Sequence, residues 1–233
     1  MDWNSDAAGG VLRETPLLLS ACMAGAYGDR VEYEGGGLYR ALFTYLRGEA
    51  SRGLFEARPE LFFGQYLVCM SPDWEDFLRR QPALDRVLRR WLMRPRRGAS
   101  AKALSALPPG YRLCAFDAEA FGEHPYGHGA NYRDYGDFAG RGAGAVVRYG
   151  GRIVASASSY LTFGGDVELD VTTDAGHRQR GLADHCVAAM LDDCAARNLT
   201  VHWDAQNDAS LNMALGHGFV VQQEYMVFIL NCV

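Results

Sequence analysis

Cysteine pairs at redox or metal spacing are missing from this 233-residue chain: Cys22, Cys69, Cys114, Cys186, Cys194 and Cys232 include no C-x-x-C. That argues against a thioredoxin-type dithiol or a zinc ribbon, and the six are expected to be reduced core thiols, with Cys186 and Cys194 eight apart on one face of a predicted helix. Long apolar runs are missing too. None approaches the ~20 residues that span a bilayer. The run from Leu17 to Ala26 has the length of a signal-peptide core and ends in A-x-A. The segment before it carries Asp2, Asp6 and Glu14 against Arg13 alone, the wrong sign for an exported leader, so a cytoplasmic protein is expected. Internal repeats and low-complexity tracts are absent. Gly35-Gly36-Gly37 lacks the lysine and spacing of a phosphate loop and reads as a turn before the strand-like stretch Leu38 to Tyr45.

What is present is the composition of a globular protein, 48% hydrophobic and 22% charged. The net charge of -5 is unevenly spread. Residues 79–97 hold eight arginines against Asp85, whereas residues 98–233 hold 9 basic and 15 acidic residues, a balance of -6 that would attract a cationic ligand. After Pro82, the positions Leu84, Val87, Leu88, Trp91 and Leu92 recur at helical spacing with arginines between them. They predict a basic amphipathic helix, either a solvated face, the preferred reading, or a surface for an anionic membrane or nucleic acid. The stretch Arg94 to Ser100 and the turn Pro108-Pro109-Gly110 place a boundary near residue 107. Residues 1–107 then form a smaller α/β domain, with a strand from Gln65 to Met70 and a helix begun by Ser71-Pro72.

Residues 108–233 read as α+β. Ala143 to Tyr149 and Arg152 to Tyr160 flank Gly150-Gly151, and Gly164-Gly165 starts a third strand, Asp166 to Thr172; two-glycine links of this kind suit type I′ hairpins and predict an antiparallel meander. A helix from Gly181 to Arg197 follows, with Asn198 as a left-handed cap. A strand from Thr200 to Asp204, a short helix from Ser210 to Leu215 and a strand from Gln222 to Leu230 complete the order.

The turn Arg178-Gln179-Arg180-Gly181-Leu182-Ala183 joins a strand to the start of the long helix, where backbone N–H groups lack intrahelical partners and anions bind. Gly181 allows close backbone approach, Ala183 keeps the first turn slim, and Arg178 and Arg180 can reach phosphate oxygens. Glu168 and Asp170 alternate with Val167, Leu169 and Val171, so both carboxylates are expected on the strand face opposite the apolar residues. His124 and His128 are four apart, but Pro125 and Gly127 between them argue against a shared helix face, and no metal is expected. With Glu123, Tyr126 and Tyr132 they suit an acceptor-binding loop. Trp203 reads as core.

The meander, the R-x-x-G-x-A turn and helix, Trp203-Asp204-Ala205-x-Asn207-x-x-Ser210 and Gly218-Phe219 resemble the GNAT acetyltransferase superfamily. Glu168 to Thr172 and Glu224-Tyr225 narrow the resemblance to the branch that includes zwittermicin A resistance acetyltransferases. The resemblance implies a mixed, mostly antiparallel sheet flanked by helices, and acetyl-CoA as co-substrate. It also implies that the strands Val167 to Thr172 and Thr200 to Asp204 splay apart around the pantetheine arm. It places the cofactor on Val171, whose backbone would polarise the thioester carbonyl, and on Thr172, Arg178, Gln179, Arg180, Gly181, Leu182, Ala183, Asn207 and Ser210. A carboxylate is the natural base for the acceptor ammonium: Glu168 first, then Asp170. The tyrosine that often protonates the leaving thiolate is replaced by Ala214, which leaves Tyr225 or Ser210 as substitutes. The implied reaction is acetylation of a primary amine on a small, cationic metabolite or antibiotic, with neither nucleic acid nor membrane as partner. Acetylation of protein lysine and a non-catalytic acyl-CoA-binding module are the alternatives.

Overall fold

The computed structural model describes residues 10–96, 102–123 and 131–231. The chain forms two compact units. One holds residues 1–92, 205–208 and 221–233, the other residues 93–204 and 209–220, so residue 107 lies inside the second.

In the first unit, α1 (Leu17–Met23) precedes β1 (Asp29–Tyr33), β2 (Gly36–Arg40) and β3 (Phe43–Gly48); α2 (Arg52–Ala57), β4 (Tyr66–Cys69) and α3 (Pro72–Arg79) follow. The pairs β1–β2 and β2–β3 are antiparallel, and β3–β4 is parallel. The last strand of the chain, β11 (Phe219–Leu230), adds antiparallel to β4 through Val227 and Phe228. The single strand expected over Leu38 to Tyr45 is instead two, broken at Ala41-Leu42, where the chain reverses. α3 starts as expected: the Ser71 hydroxyl accepts from the Trp74 N–H and Pro72 occupies the first turn, where a missing N–H costs nothing. Its core has Leu38, Leu46, Leu61, Phe62, Trp74 and Phe228 at its centre.

The expected basic helix is a strand, β5 (Leu84–Pro95). Leucines at 84, 88 and 92 are four apart, a spacing that is close to one helical turn and also an even number of strand steps, so they fit both periods. Neighbours two apart decide. Arg89 and Trp91 share one face: both reach Glu224 of β11, at 3.7 and 3.1 Å, and the Arg89 guanidinium lies over the Trp91 ring. The arginines of this region are largely spent on local partners, Arg79 on Glu75, Arg80 on Asp76, Arg86 on Asp85 and Arg90 over the Phe43 ring.

In the second unit the order across the sheet begins β6 (Tyr111–Ala115), β7 (Gly144–Tyr149), β8 (Arg152–Phe163) and β9 (Asp166–Thr173), all antiparallel neighbours. Gly150 and Gly151, then Gly164 and Gly165, all have positive φ, as two-residue type I′ links require. β10 (Thr200–Ala205) then pairs parallel with β9, returning through helix α6 (Leu182–Ala196). α6 packs on β7, β8 and β9 through Cys186, Val187 and Met190. α4 (Ala118–Glu123) and α5 (Tyr135–Arg141) cover Val146 with Ala120, Phe138 and Tyr132. Asn198 takes the expected left-handed conformation, φ 55°. α7 (Asp208–Gly216) is a turn longer than expected. The fold is thus a mostly antiparallel sheet flanked by helices.

Five of the six cysteines are described; none is bridged, and four are buried. Burial pushes the Cys22 thiol up to about 11 and those of Cys186 and Cys194 up to about 12, which keeps them protonated and unreactive.

Candidate active site

β9 and β10 diverge. Their ladder runs Thr200 to Asp166, Val201 to Val167 and His202 to Glu168, and stops there, although β9 continues to Thr173 and β10 to Ala205. Strands that part at their carboxyl ends leave a gap edged by backbone N–H and C=O groups, a slot suited to an extended, amide-containing arm. The expected splay is therefore present.

The turn at the mouth of that gap is built for close backbone approach. Gln179 and Gly181 both have positive φ, 59° and 73°. Gly181 is the N-cap of α6, no side chain caps the helix, and a Cβ built on Gly181 would meet nothing within 4 Å. The first N–H groups of α6 thus carry no side-chain cap, and the positive end of the helix dipole lies with them. Leu182 and Ala183 are buried, so any ligand there meets their backbone only. Arg178 and Arg180 are exposed; Arg178 Nε donates to the Thr173 carbonyl at 3.2 Å, which ties its side chain to the end of β9.

Glu168, Asp170 and Thr172 alternate on one face of β9. Directly opposite on β8, Ser158 pairs with Asp170 and Ser156 with Thr172, so that face is polar across two strands. Val171 pairs with Ala157 and shares the other face, on the α6 side. Glu168 is 6% exposed. Burial pushes the Asp170 carboxyl above its ordinary value, and the Val171 backbone N–H opposes part of the rise. A carboxyl displaced this way holds or takes a proton more readily than an exposed aspartate, as proton transfer demands.

Ser210, on α7, accepts a hydrogen bond from the Trp203 indole at 3.0 Å. Trp203 is 2% exposed and packs edge-on against Phe219. Ala214, in the position where a tyrosine is often found, is fully buried on α7. Asn207, exposed just before α7, and Tyr225, fully buried on β11, belong to the first unit. His124, Pro125, Tyr126, Gly127 and His128 lie outside the described residues. Tyr132 is described: its hydroxyl hydrogen-bonds Ser159 and its ring carries the Arg141 guanidinium at 4.5 Å. Among the described residues no three His, Cys, Asp or Glu side chains gather as a metal site.

Two clusters escaped the reading of the sequence. His217 Nε2 donates to Asp184 at 2.9 Å, and Lys102 bonds the same Asp184 oxygen. Asp184 stands in the first turn of α6, so this half-buried group holds the helix start in place. Burial lowers the pKa of His217, although Asp184 resists the shift. In the second cluster His202 takes the Arg94 guanidinium on Nδ1 and donates from Nε2 to Asp166 at 2.8 Å. Burial and then Arg94 lower the pKa of this ring against the pull of Asp166, and the two partners fix its orientation beside the last paired rung of β9 and β10. Residues separated by 33 to 108 positions carry no spacing signal, and only the fold brings them together.

Comparison with known proteins points to one family. The family model described as GNAT acetyltransferase matches residues 18–228. An uncharacterized N-acetyltransferase of Bacillus subtilis, YdfB, is 28% identical over 136 residues, 55% of this chain and 52% of that protein, so the match spans about half of each. A GCN5-related N-acetyltransferase-like protein from Streptococcus suis superimposes with a TM-score of 0.74 at 23% identity, covering 93% of both chains. A tandem GNAT protein from the clavulanic acid biosynthesis pathway gives 0.54 at 12% identity, over 95% of this chain and 89% of that one. No helix among the described residues is long and apolar enough to cross a membrane. With most of its length matched by the family model, and with the parted strands and open helix start in place, this chain belongs to the GNAT acetyltransferase family.

Proposed function

We propose that this protein is an acetyl-CoA-dependent N-acetyltransferase acting in the cytoplasm on a primary amine of a small, cationic metabolite or antibiotic. The observation that carries the cofactor half is the ladder that ends at Glu168 and His202 while both strands run on toward the uncapped start of α6. Acetyl-CoA supplies the activated acetyl group as a thioester. The chain's residues do the rest. The N–H groups of Gly181, Leu182 and Ala183, with Arg178, Gln179 and Arg180, take the pyrophosphate. Val171 and Thr172 line the arm, with Ser210 bracing Trp203 behind. Glu168 removes the proton from the acceptor ammonium, directly or through a water, and Asp170 on the same face holds the amine.

The acceptor reading rests on charge and on likeness. Residues 98–233 carry a balance of -6, which concentrates a polyamine-like substrate by long-range attraction. The sequence also resembles a branch with antibiotic-inactivating members, and acetylation removes the positive charge that an ammonium-reading target needs.

Two measurements test the proposal. Thiol release from acetyl-CoA is followed with a panel of amines at rising salt. For a cationic acceptor kcat/KM falls as the Debye length shrinks below about 10 Å, whereas for a neutral one it holds steady. Acetylation of folded proteins alone, with every small amine ignored, would overturn the acceptor class. In calorimetry, Gly181→Trp abolishes acetyl-CoA binding, because the indole fills the space before the helix and any side chain at φ 73° costs about 1–2 kcal/mol. Wild-type affinity in that folded variant would remove the cofactor site.

A further inference from the structure

At the end of the second unit's sheet where β9 leads into the Arg178–Gly181 turn, an aromatic ledge stands beside the cations. Tyr111 opens β6 and Tyr149 closes β7; they are cross-strand partners with ring centroids 4.7 Å apart. His177, one residue before Arg178, meets both rings, and its Nδ1 lies 2.8 Å from the Tyr111 hydroxyl. The Arg180 guanidinium lies 5.9 Å from the centre of the Tyr111 ring. One ligand-facing turn and one aromatic group are therefore joined through two consecutive contacts.

The ledge is fixed yet open. A Cβ on Gly110 would come within 2.9 Å of the Tyr149 ring, so this glycine lets the ring lie against the backbone beneath it. Tyr111, its ring tilted by 34°, and His177 pack against it. On the outer side Tyr149 is 46% exposed, and a Cβ on Gly150 or Gly151 would meet nothing within 4 Å. A half-exposed ring held by such neighbours gives up little entropy when a flat, uncharged heterocycle stacks on its exposed part. A ligand anchored by its phosphates at the adjoining turn brings such a ring within reach when it is a purine nucleotide.

We propose that Tyr149, supported by Tyr111 and His177, is the stacking platform for the adenine ring of the coenzyme A nucleotide, with Arg180 bridging ring and phosphates. The inference rests on the cofactor reading above and assigns residues that reading does not use.

The experiment is calorimetry of wild type, Tyr149→Phe and Tyr149→Ala with two ligands: coenzyme A, and 4′-phosphopantetheine, which keeps the arm and one phosphate but has no adenosine. Base stacking on an aromatic side chain predicts that Tyr149→Ala weakens coenzyme A binding roughly tenfold, that Tyr149→Phe stays within about twofold of wild type, and that neither change alters 4′-phosphopantetheine binding. Thermal unfolding confirms that each variant is folded. Coenzyme A affinity unchanged in Tyr149→Ala overturns the platform. So does equal binding of the two ligands by wild type, which leaves the phosphate turn and the arm's slot standing. If wild type binds neither ligand, the cofactor reading falls as well.

Discussion

The two units bury different kinds of side chain. Nine polar or charged residues are buried among the described residues, and eight of them, Arg148, Ser156, Ser158, Ser159, Thr162, Glu168, His202 and His217, lie in the second unit; Thr44 alone lies in the first. The first unit centres on Trp74, which touches Tyr33, Phe62 and Phe77 and donates its indole N–H to the Tyr33 hydroxyl at 3.0 Å. Buried polar groups cost stability unless each finds a partner, so a fold that gathers them in one place has spent stability there on chemistry or on holding chemistry in position. The first unit is packed for cohesion, and the second buries the ionisable side chains of Arg148, Glu168, His202 and His217.

Three substitutions probe that contrast. The largest effect is expected in the apolar unit: Trp74→Ala removes a fully buried ring and should cost about 3–5 kcal/mol in denaturant unfolding. A loss under ~1 kcal/mol would show that this core is not what holds the unit together. Next comes Glu168→Gln, nearly isosteric and unable to take a proton. Turnover should drop about a hundredfold at pH 6, where the acceptor is fully protonated, and recover toward pH 9. An unchanged rate across that range clears Glu168 of the role of base. The smallest effect belongs to Asp170→Asn. Burial raises the folded-state pKa of Asp170 above its unfolded value, so its stabilising contribution is present below pH ~4 and is lost as pH rises through the folded pKa. The asparagine variant should therefore melt higher than wild type at pH 7, with the gap closing toward pH 4. A pH-independent difference would mean that burial does not govern this carboxyl.

The meander, α6 and the glycine turn were legible because each rests on local chemistry: two-glycine links, a helical period and a glycine that must take positive φ. β5 was misread because leucines four apart satisfy two periods at once, and the deciding contact, Glu224 with Arg89 and Trp91, joins residues more than 130 positions apart. The break at Ala41-Leu42 was missed because the stretch carries no glycine or proline to mark it. In the site, the alternation of Glu168 and Asp170 could be read directly. Their facing serines could not, since pairing across a strand depends on register, and the register of β8 slips between Ser159 and Leu161. The clusters around Asp184 and His202 and the tyrosine pair on β6 and β7 are products of tertiary folding alone.

The paired glycine links also set an order of events. Strands β7, β8 and β9 are joined by loops of two residues, so their contacts close over short distances along the chain and can form within microseconds. The parallel rung from β9 to β10 must wait for α6 to be laid down between them, a closure over more than 30 residues. The parted strands are thus completed late in folding, on a hairpin scaffold that already exists. Pulsed hydrogen exchange should show the amides of β7 and β8 protected before those of Val201 and His202.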